Sequence, residues 1–118
     1  MIIVVPTNKD GKTVDGMLAR AAQFAVVENG TVRYVSNDAA HSQGGAGVKA
    51  AQQLIDLGAN VVITRLCGVN AAEVLAAANV KLYQVKGDFL EENLAAYQEG
   101  TLERLSDVVP GFHGGSGK

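Results

Sequence analysis

The chain has 118 residues, the size of one ordinary domain, and 47% of them are hydrophobic, so it can bury a hydrophobic core of its own. Its formal net charge is −2 at pH 7 and its lysines and arginines form no cluster, which argues against a nucleic-acid partner. A single cysteine excludes an internal disulfide, and no apolar run is long enough to span a membrane, so we expect a cytoplasmic protein that binds no membrane.

The chain opens with a pattern typical of a central strand. Residues 2–5 are a β-branched and apolar run that stops at Pro6, as in a strand buried on both faces. Residues 7–14 are mostly polar and predict a loop. Residues 15–22 are expected to form a short helical turn that carries Arg20.

A hairpin is predicted next. Residues 24–28 and 31–35 are strand-like runs joined by Asn29-Gly30, a pair that favours a type I′ turn because both residues tolerate a positive φ. The segment 36–45 then predicts a second loop, which contains His41.

The second half alternates between helical and strand patterns. Residues 47–57 carry apolar side chains at helical spacing, and Gly58 follows where a helix commonly ends. Residues 60–64 and 80–85 read as two further strands of the buried or half-buried kind.

Two more helices are predicted from their first residues. Asn70 followed by Glu73 resembles a capping box, with Asn in place of the usual Ser or Thr. Asp88 is the expected N-cap of the last helix, with Glu91 at its third position and Gly100 near its end.

These elements predict an α/β fold with a five-stranded mixed sheet in the order 3-2-1-4-5. Each βαβ unit requires parallel strands and a right-handed crossover, which puts helices on both faces. Residues 1–107 form the predicted domain, and residues 108–118 form a Gly-rich tail that we expect to be flexible. The tail contains His113, for which we expect no role.

A binding site is expected where strands one and four diverge, at their carboxyl ends. Two predicted helix N-termini point to this edge, and their free N–H groups favour an anion. The candidate binding residues are Asn8, Arg20, Gly45, Ala46, Gly47, Arg65, Gly68, Asn70 and Ala71.

Cys67 and His41 are the candidate metal ligands at the same edge. A helix N-terminus and Arg65 beside Cys67 would lower the pKa of the thiol and make a thiolate available. A buried, inert cysteine is an equal alternative, because free cysteines are often core residues. An exposed loop histidine without a role is likewise the commoner outcome for His41.

Other chemistries find little support in the sequence. Residues 45–50 match G-x-G-x-x-A, but the match does not directly follow strand one and lacks an acidic partner for a ribose. The chain has no P-loop, no nucleophile elbow and too few histidines for a three-histidine zinc site. We therefore predict no enzymatic turnover.

Several of these segments together resemble a known family. Gly44-Gly45-Ala46-Gly47, the run 56–64 and Cys67-Gly68-Val69-Asn70-Ala71 resemble the dinitrogenase iron-molybdenum cofactor biosynthesis family, over about residues 1–105. The family's G-P-N-A element appears with Val69 in place of proline. Its H-F-G-R-A element corresponds to residues 17–21, where Met17 replaces the histidine and only Arg-Ala is kept.

The resemblance implies a ribonuclease-H-like, three-layer fold and a protein that binds or carries an iron–molybdenum or related metal–sulfur cluster. It also implies cluster donor and acceptor proteins as partners. Two alternatives stay open: a non-metal interaction or regulatory module on the same fold, and a small anion- or nucleotide-binding domain.

Overall fold

The computed structural model describes residues 1–15, 17–105 and 108–109. The secondary-structure elements run in the order β1 (Ile2–Thr7), β2 (Gln23–Glu28), β3 (Thr31–Ser36), α1 (Ala46–Asp56), β4 (Val61–Thr64), β5 (Cys67–Gly68), α2 (Val69–Ala77), β6 (Lys81–Gln84), α3 (Leu90–Glu99) and β7 (Val108–Val109). Within this part of the chain, no helix is both long enough and apolar enough to cross a bilayer.

The main sheet has five strands in the order β3-β2-β1-β4-β6. β1 is antiparallel to β2 and parallel to β4, and β4 is parallel to β6. The predicted strand order, 3-2-1-4-5, is therefore confirmed. The strand predicted as the fifth is β6, because the short β5 lies outside the main sheet. The predicted hairpin turn is also confirmed, because Asn29 and Gly30 both have a positive φ, of 53° and 79°.

Side-chain alternation along the strands divides the interior into two cores. Val4 and Val62 lie on the face that carries α1 and α2, together with Leu54 and Leu75 of those helices. The other face carries α3, whose Leu90 lies in a second core. That core includes Val5, Ala25 and Ile63 of the strands. The sheet is thus covered by helices on both sides, and the ribonuclease-H-like label stays a prediction.

The first strand and the segment after it differ from the sequence prediction. β1 continues through Pro6. The parallel pairing of β1 with β4 ends at Val4 and Val62, so the N–H that proline lacks is not needed for pairing with β4. In place of the helical turn expected at 15–22, residues 18–20 form a turn that carries Arg20, and no helix occurs among the described residues of that segment. Met17 instead bridges Leu66.

A second, two-stranded sheet was not predicted. β5 pairs in parallel with β7, with Cys67 opposite Val108 and Gly68 opposite Val109. The sequence places the start of the tail at Val108, whereas the structure puts Val108 and Val109 in this short strand. Residues 110–118, including His113, lie outside the described residues, and the division at residue 107 stays a prediction.

Both predicted helix caps are displaced. α2 begins at Val69 with Gly68 as its N-cap, so Asn70 is inside the helix and caps nothing. Phe89 is the N-cap of α3, and its N–H donates to the Glu92 carboxylate at 3.1 Å. Gly68 and Phe89 both have extended backbone conformations, so the N-cap of α2 lies two residues before the predicted one and that of α3 one residue after it. The chain enters α2 directly from β5 and enters α3 from the preceding loop.

Candidate functional site

The first turns of α1 and α2 lie side by side at the carboxyl edge of β1 and β4. A Cβ atom placed on Gly47 would be 3.5 Å from the Cβ of Ala71. Ala46 and Ala71 are both buried, and their small side chains let the two helices approach closely. This edge is the one that the sequence predicts, and both helix N-termini are present there.

Neither of these N-termini is neutralised by a side chain. α1 has Gly45 as its N-cap and α2 has Gly68, and no side chain caps either helix. Neither first turn contains an acidic residue. The free N–H groups and positive dipole ends of two adjacent helices therefore favour an anion between them.

α3 shows the opposite arrangement and serves as an internal comparison. Its first turn holds Glu91 and Glu92, and the Glu92 carboxylate accepts the N–H of the N-cap residue. The chain thus caps one helix with acids and leaves the other two open. The two open helices, α1 and α2, pack against each other, and their first turns approach at Gly47 and Ala71.

Gly45 sets the direction in which α1 leaves the preceding loop. Its φ of 68° and ψ of 20° place it in the left-handed region, which a residue with a side chain adopts at a cost of roughly 1–2 kcal/mol. The Gly45–Gly47 segment therefore forms a tight turn into the first residues of α1.

Arg20 lies beside the loop that precedes α1, as predicted. Its Nη1 donates to the carbonyl oxygens of Ala40 at 2.9 Å and Ser42 at 2.8 Å. His41, between these two residues, is exposed in a turn. The structure thus brings Arg20 and His41 together next to the loop that leads into α1.

Cys67 does not have the reactive environment that the sequence suggested. The residue is 1% exposed and packs in the core under α1 and α2. Burial raises the pKa of the thiol to about 11, so the expected lowering by the α2 N-terminus is wrong. Arg65 does not compensate, because its guanidinium pairs with the largely exposed Asp88 carboxylate at 3.3 Å.

Alkylation of Cys67 by iodoacetamide is therefore expected to be slow at pH 7–8 in the folded protein. The rate should rise with a midpoint near pH 11, the raised pKa of the thiol, because only the thiolate reacts. The measurement is the alkylation rate against pH by mass spectrometry, with the urea-unfolded chain as control. A midpoint at or below about 8.5, the value of a free cysteine, would contradict the buried environment.

Two of the predicted binding residues are engaged elsewhere. The Asn8 amide donates to Thr13 Oγ1 at 2.9 Å in the loop after β1. No hydrogen bond among the described residues joins Asn8 to α1 or α2. Arg65 is held by Asp88, on the side of the chain that leads to α3.

Asn37 is a buried residue near Arg20 whose role in the site the sequence did not indicate. It is 6% exposed, and its Nδ2 donates to the carbonyls of Ala19 and Ala21, each at 3.0 Å. Its position in a polar loop gave no sign of burial. A signal was present in principle, since Asn commonly bonds neighbouring backbone in turns.

No group of three or more His, Cys, Asp or Glu side chains suited to a metal ion occurs within residues 1–15 and 17–105. Met17, at the position of the family's histidine, is 43% exposed. What the edge offers is backbone N–H groups, the Arg20 cation and one imidazole. This donor set suits an anionic group better than a bare metal cation.

Solved structures with this fold include two at 30% identity or above. The apo form of the orange protein from Desulfovibrio gigas is 30% identical, with a TM-score of 0.83, and the match covers 90% of this chain and 93% of that one. A Thermotoga protein of the DUF35 family, solved by NMR, is 32% identical, with a TM-score of 0.77 over 92% of this chain and 96% of that one.

Sequence comparisons agree with the structural ones. An uncharacterized protein from Methanocaldococcus jannaschii is 24% identical over 101 residues, which cover 81% of this chain and 86% of the relative. The family model described as dinitrogenase iron-molybdenum cofactor matches residues 1–100. This match spans both cores, the two open helix N-termini and the loop held by Arg20. The chain belongs to the dinitrogenase iron-molybdenum cofactor family.

Proposed function

We propose that this protein binds an anionic metal–sulfur cluster, of the iron–molybdenum or a related kind, and carries it during cofactor assembly without turnover of its own. The observation that carries the proposal is the pair of uncapped helix N-termini, α1 and α2, packed together at the carboxyl edge of β1 and β4. Sulfide-rich clusters with net negative charge match such an edge, since their sulfur atoms accept N–H hydrogen bonds.

The cluster is cargo, and the residues at the edge contribute charge and hydrogen bonds to it. The N–H groups of the first turns of α1 and α2 surround it. His41 is the exposed imidazole in the adjacent loop and supplies a ligand. Cys67 packs in the core beside this edge and is not a ligand of the cluster, because its thiol is buried and burial raises the pKa of that thiol.

Family membership supports the same function. The family is named for the iron–molybdenum cofactor of dinitrogenase, and the match covers 100 of 118 residues. The orange protein, which shares this fold at 30% identity, was solved in its apo form. A carrier of this kind works in the cytoplasm and exchanges its cargo with a donor protein and an acceptor protein.

Anaerobic reconstitution with iron, sulfide and molybdate tests the proposal. The wild-type protein should gain visible absorption and retain molybdenum and iron after desalting, as measured by elemental analysis. His41→Ala should lower the metal content because an imidazole ligand is lost, whereas Gln43→Ala, a change to an exposed residue of the same loop, should leave it unchanged. Cys67→Ala should load like wild type.

One outcome would contradict cluster binding, and another would contradict the role given to Cys67. A colourless, metal-free wild-type protein would overturn cluster binding and favour the interaction-module alternative. Loss of loading in Cys67→Ala, with an unchanged unfolding transition, would show instead that the buried thiol is a ligand.

A nucleotide or phosphate ligand is the second candidate, and one observation favours it. Gly45-Ala46-Gly47 opens α1 with no side-chain cap, which is how many phosphate groups are bound. Thermal shifts with nucleotides and with inorganic phosphate separate the two candidates. A nucleotide-dependent rise in Tm, without cluster loading, would favour this second function.

A further inference from the structure

Arg20, a candidate binding residue in the sequence, is hydrogen-bonded to the loop that precedes α1. One nitrogen, Nη1, donates to the carbonyl oxygens of Ala40 and Ser42 at 2.9 Å and 2.8 Å. These are the two residues on either side of His41. A single guanidinium nitrogen therefore holds one carbonyl group on each side of the exposed His41, in the 40–41 and 42–43 peptides.

The opposite segment is held in the same way. Asn37 Nδ2 donates to the carbonyls of Ala19 and Ala21, the residues on either side of Arg20. The Asn37 side chain is itself fixed, since its Oδ1 accepts the N–H of Ala39 at 2.9 Å. Arg20 thus binds the carbonyls of the residues before and after His41, and Asn37 binds the carbonyls of the residues before and after Arg20. These bonds make a reciprocal clamp between residues 19–21 and 37–42.

The charge of Arg20 is balanced by carbonyl oxygens and not by a carboxylate. The ion pair found among the described residues joins Arg65 to Asp88, and no acidic side chain of that part of the chain lies within 4 Å of Arg20. Hydrogen bonds from a charged donor are about twice as strong as those between neutral groups. The two bonds from the Arg20 guanidinium can therefore hold the loop at residues 40–42 in place.

We propose that Arg20 is a positioning residue for His41: it orders residues 40–42 so that the imidazole stays at the edge formed by α1 and α2. This inference rests on the proposed function for the role of His41 as a ligand. It differs from the sequence prediction, in which Arg20 contacts the bound group directly.

Backbone amide exchange tests the clamp without any cargo. The Ala40 and Ser42 N–H groups donate to Asn37 and Ala39 carbonyls, so both should be protected in the wild type. Arg20→Ala should raise their exchange rates about tenfold, because two charge-assisted hydrogen bonds are lost. Arg33→Ala, which removes the same charge from exposed strand β3, should leave them unchanged.

Reconstitution with iron, sulfide and molybdate tests the link to His41. Arg20→Ala should lower the retained molybdenum as much as His41→Ala does. The double variant should lower it no further, because each change acts on the same ligand, the His41 imidazole. Arg33→Ala again serves as the control for charge.

The three possible results test the clamp, the positioning role of Arg20 and the proposed function separately. Unchanged exchange at Ala40 and Ser42 in Arg20→Ala would overturn the clamp. Additive losses of molybdenum in the double variant would overturn the positioning role, since they would show that Arg20 acts on the cargo independently. A wild-type protein that stays metal-free overturns the proposed function and with it the link to His41, while the exchange measurement still decides the clamp.

Discussion

Leu54→Ala is expected to lower the free energy of unfolding by about 2–5 kcal/mol, the range for a large-to-small change in a close-packed core. Leu54 is fully buried on α1 and shares its core with Phe24, Val62 and Leu75. Four elements, α1, β2, β4 and α2, contribute to that core, so we expect the cavity left by alanine to collapse little. Urea denaturation followed by circular dichroism measures the loss as a lower midpoint at unchanged slope.

Val48→Ala on the same helix is the matched control. Val48 is 41% exposed, and removing its methyl groups should change the free energy of unfolding by less than about 0.5 kcal/mol. Equal midpoints for Leu54→Ala and Val48→Ala would contradict the assignment of the buried face of α1.

Asn70→Asp is expected to stabilise the fold and to weaken cluster loading, two effects of opposite sign from one added charge. Asn70 is exposed at the second position of α2, whose N-terminus has no acidic residue. A carboxylate there should add about 0.3–1 kcal/mol to the free energy of unfolding by balancing the helix dipole. It should also repel an anionic cargo and lower molybdenum retention roughly tenfold or more.

Asn79→Asp provides the same charge at the other end of the same helix. Asn79 is exposed just beyond the α2 C-terminus with a φ of 63°, a conformation that Asp also tolerates. This variant should load like wild type and be slightly less stable. If Asn70→Asp retains as much molybdenum as Asn79→Asp, the helix N-termini do not hold the cargo.

The order of the main strands was predictable because it follows from local signals. Asn29-Gly30 sets the hairpin, and two βαβ crossovers set the parallel strands β4 and β6, so the chirality of the connections left few alternatives. The pairing of Cys67 with Val108 was not predictable, because two-residue strands carry no periodicity and join segments far apart in sequence.

The candidate site was predictable in position and not in detail. The topology placed the starts of α1 and α2 at one edge, and the family match covers both. The environment of Cys67 was misjudged because the sequence shows its neighbours along the chain, whereas the pKa of the thiol depends on the side chains packed over it. The Arg20 clamp depends on carbonyl oxygens, which no sequence pattern displays.

The position of β1 in the middle of the sheet has a consequence for how the chain folds. Its parallel partner β4 comes late, and the Ile2 N–H bonds the Asn60 side chain across 58 positions. The β2–β3 hairpin closes through a two-residue turn and can form within microseconds, whereas β1 and β4 meet only after a long loop closes. We therefore expect refolding in milliseconds to seconds, limited by this non-local contact and slowed by changes at Val4 or Val62.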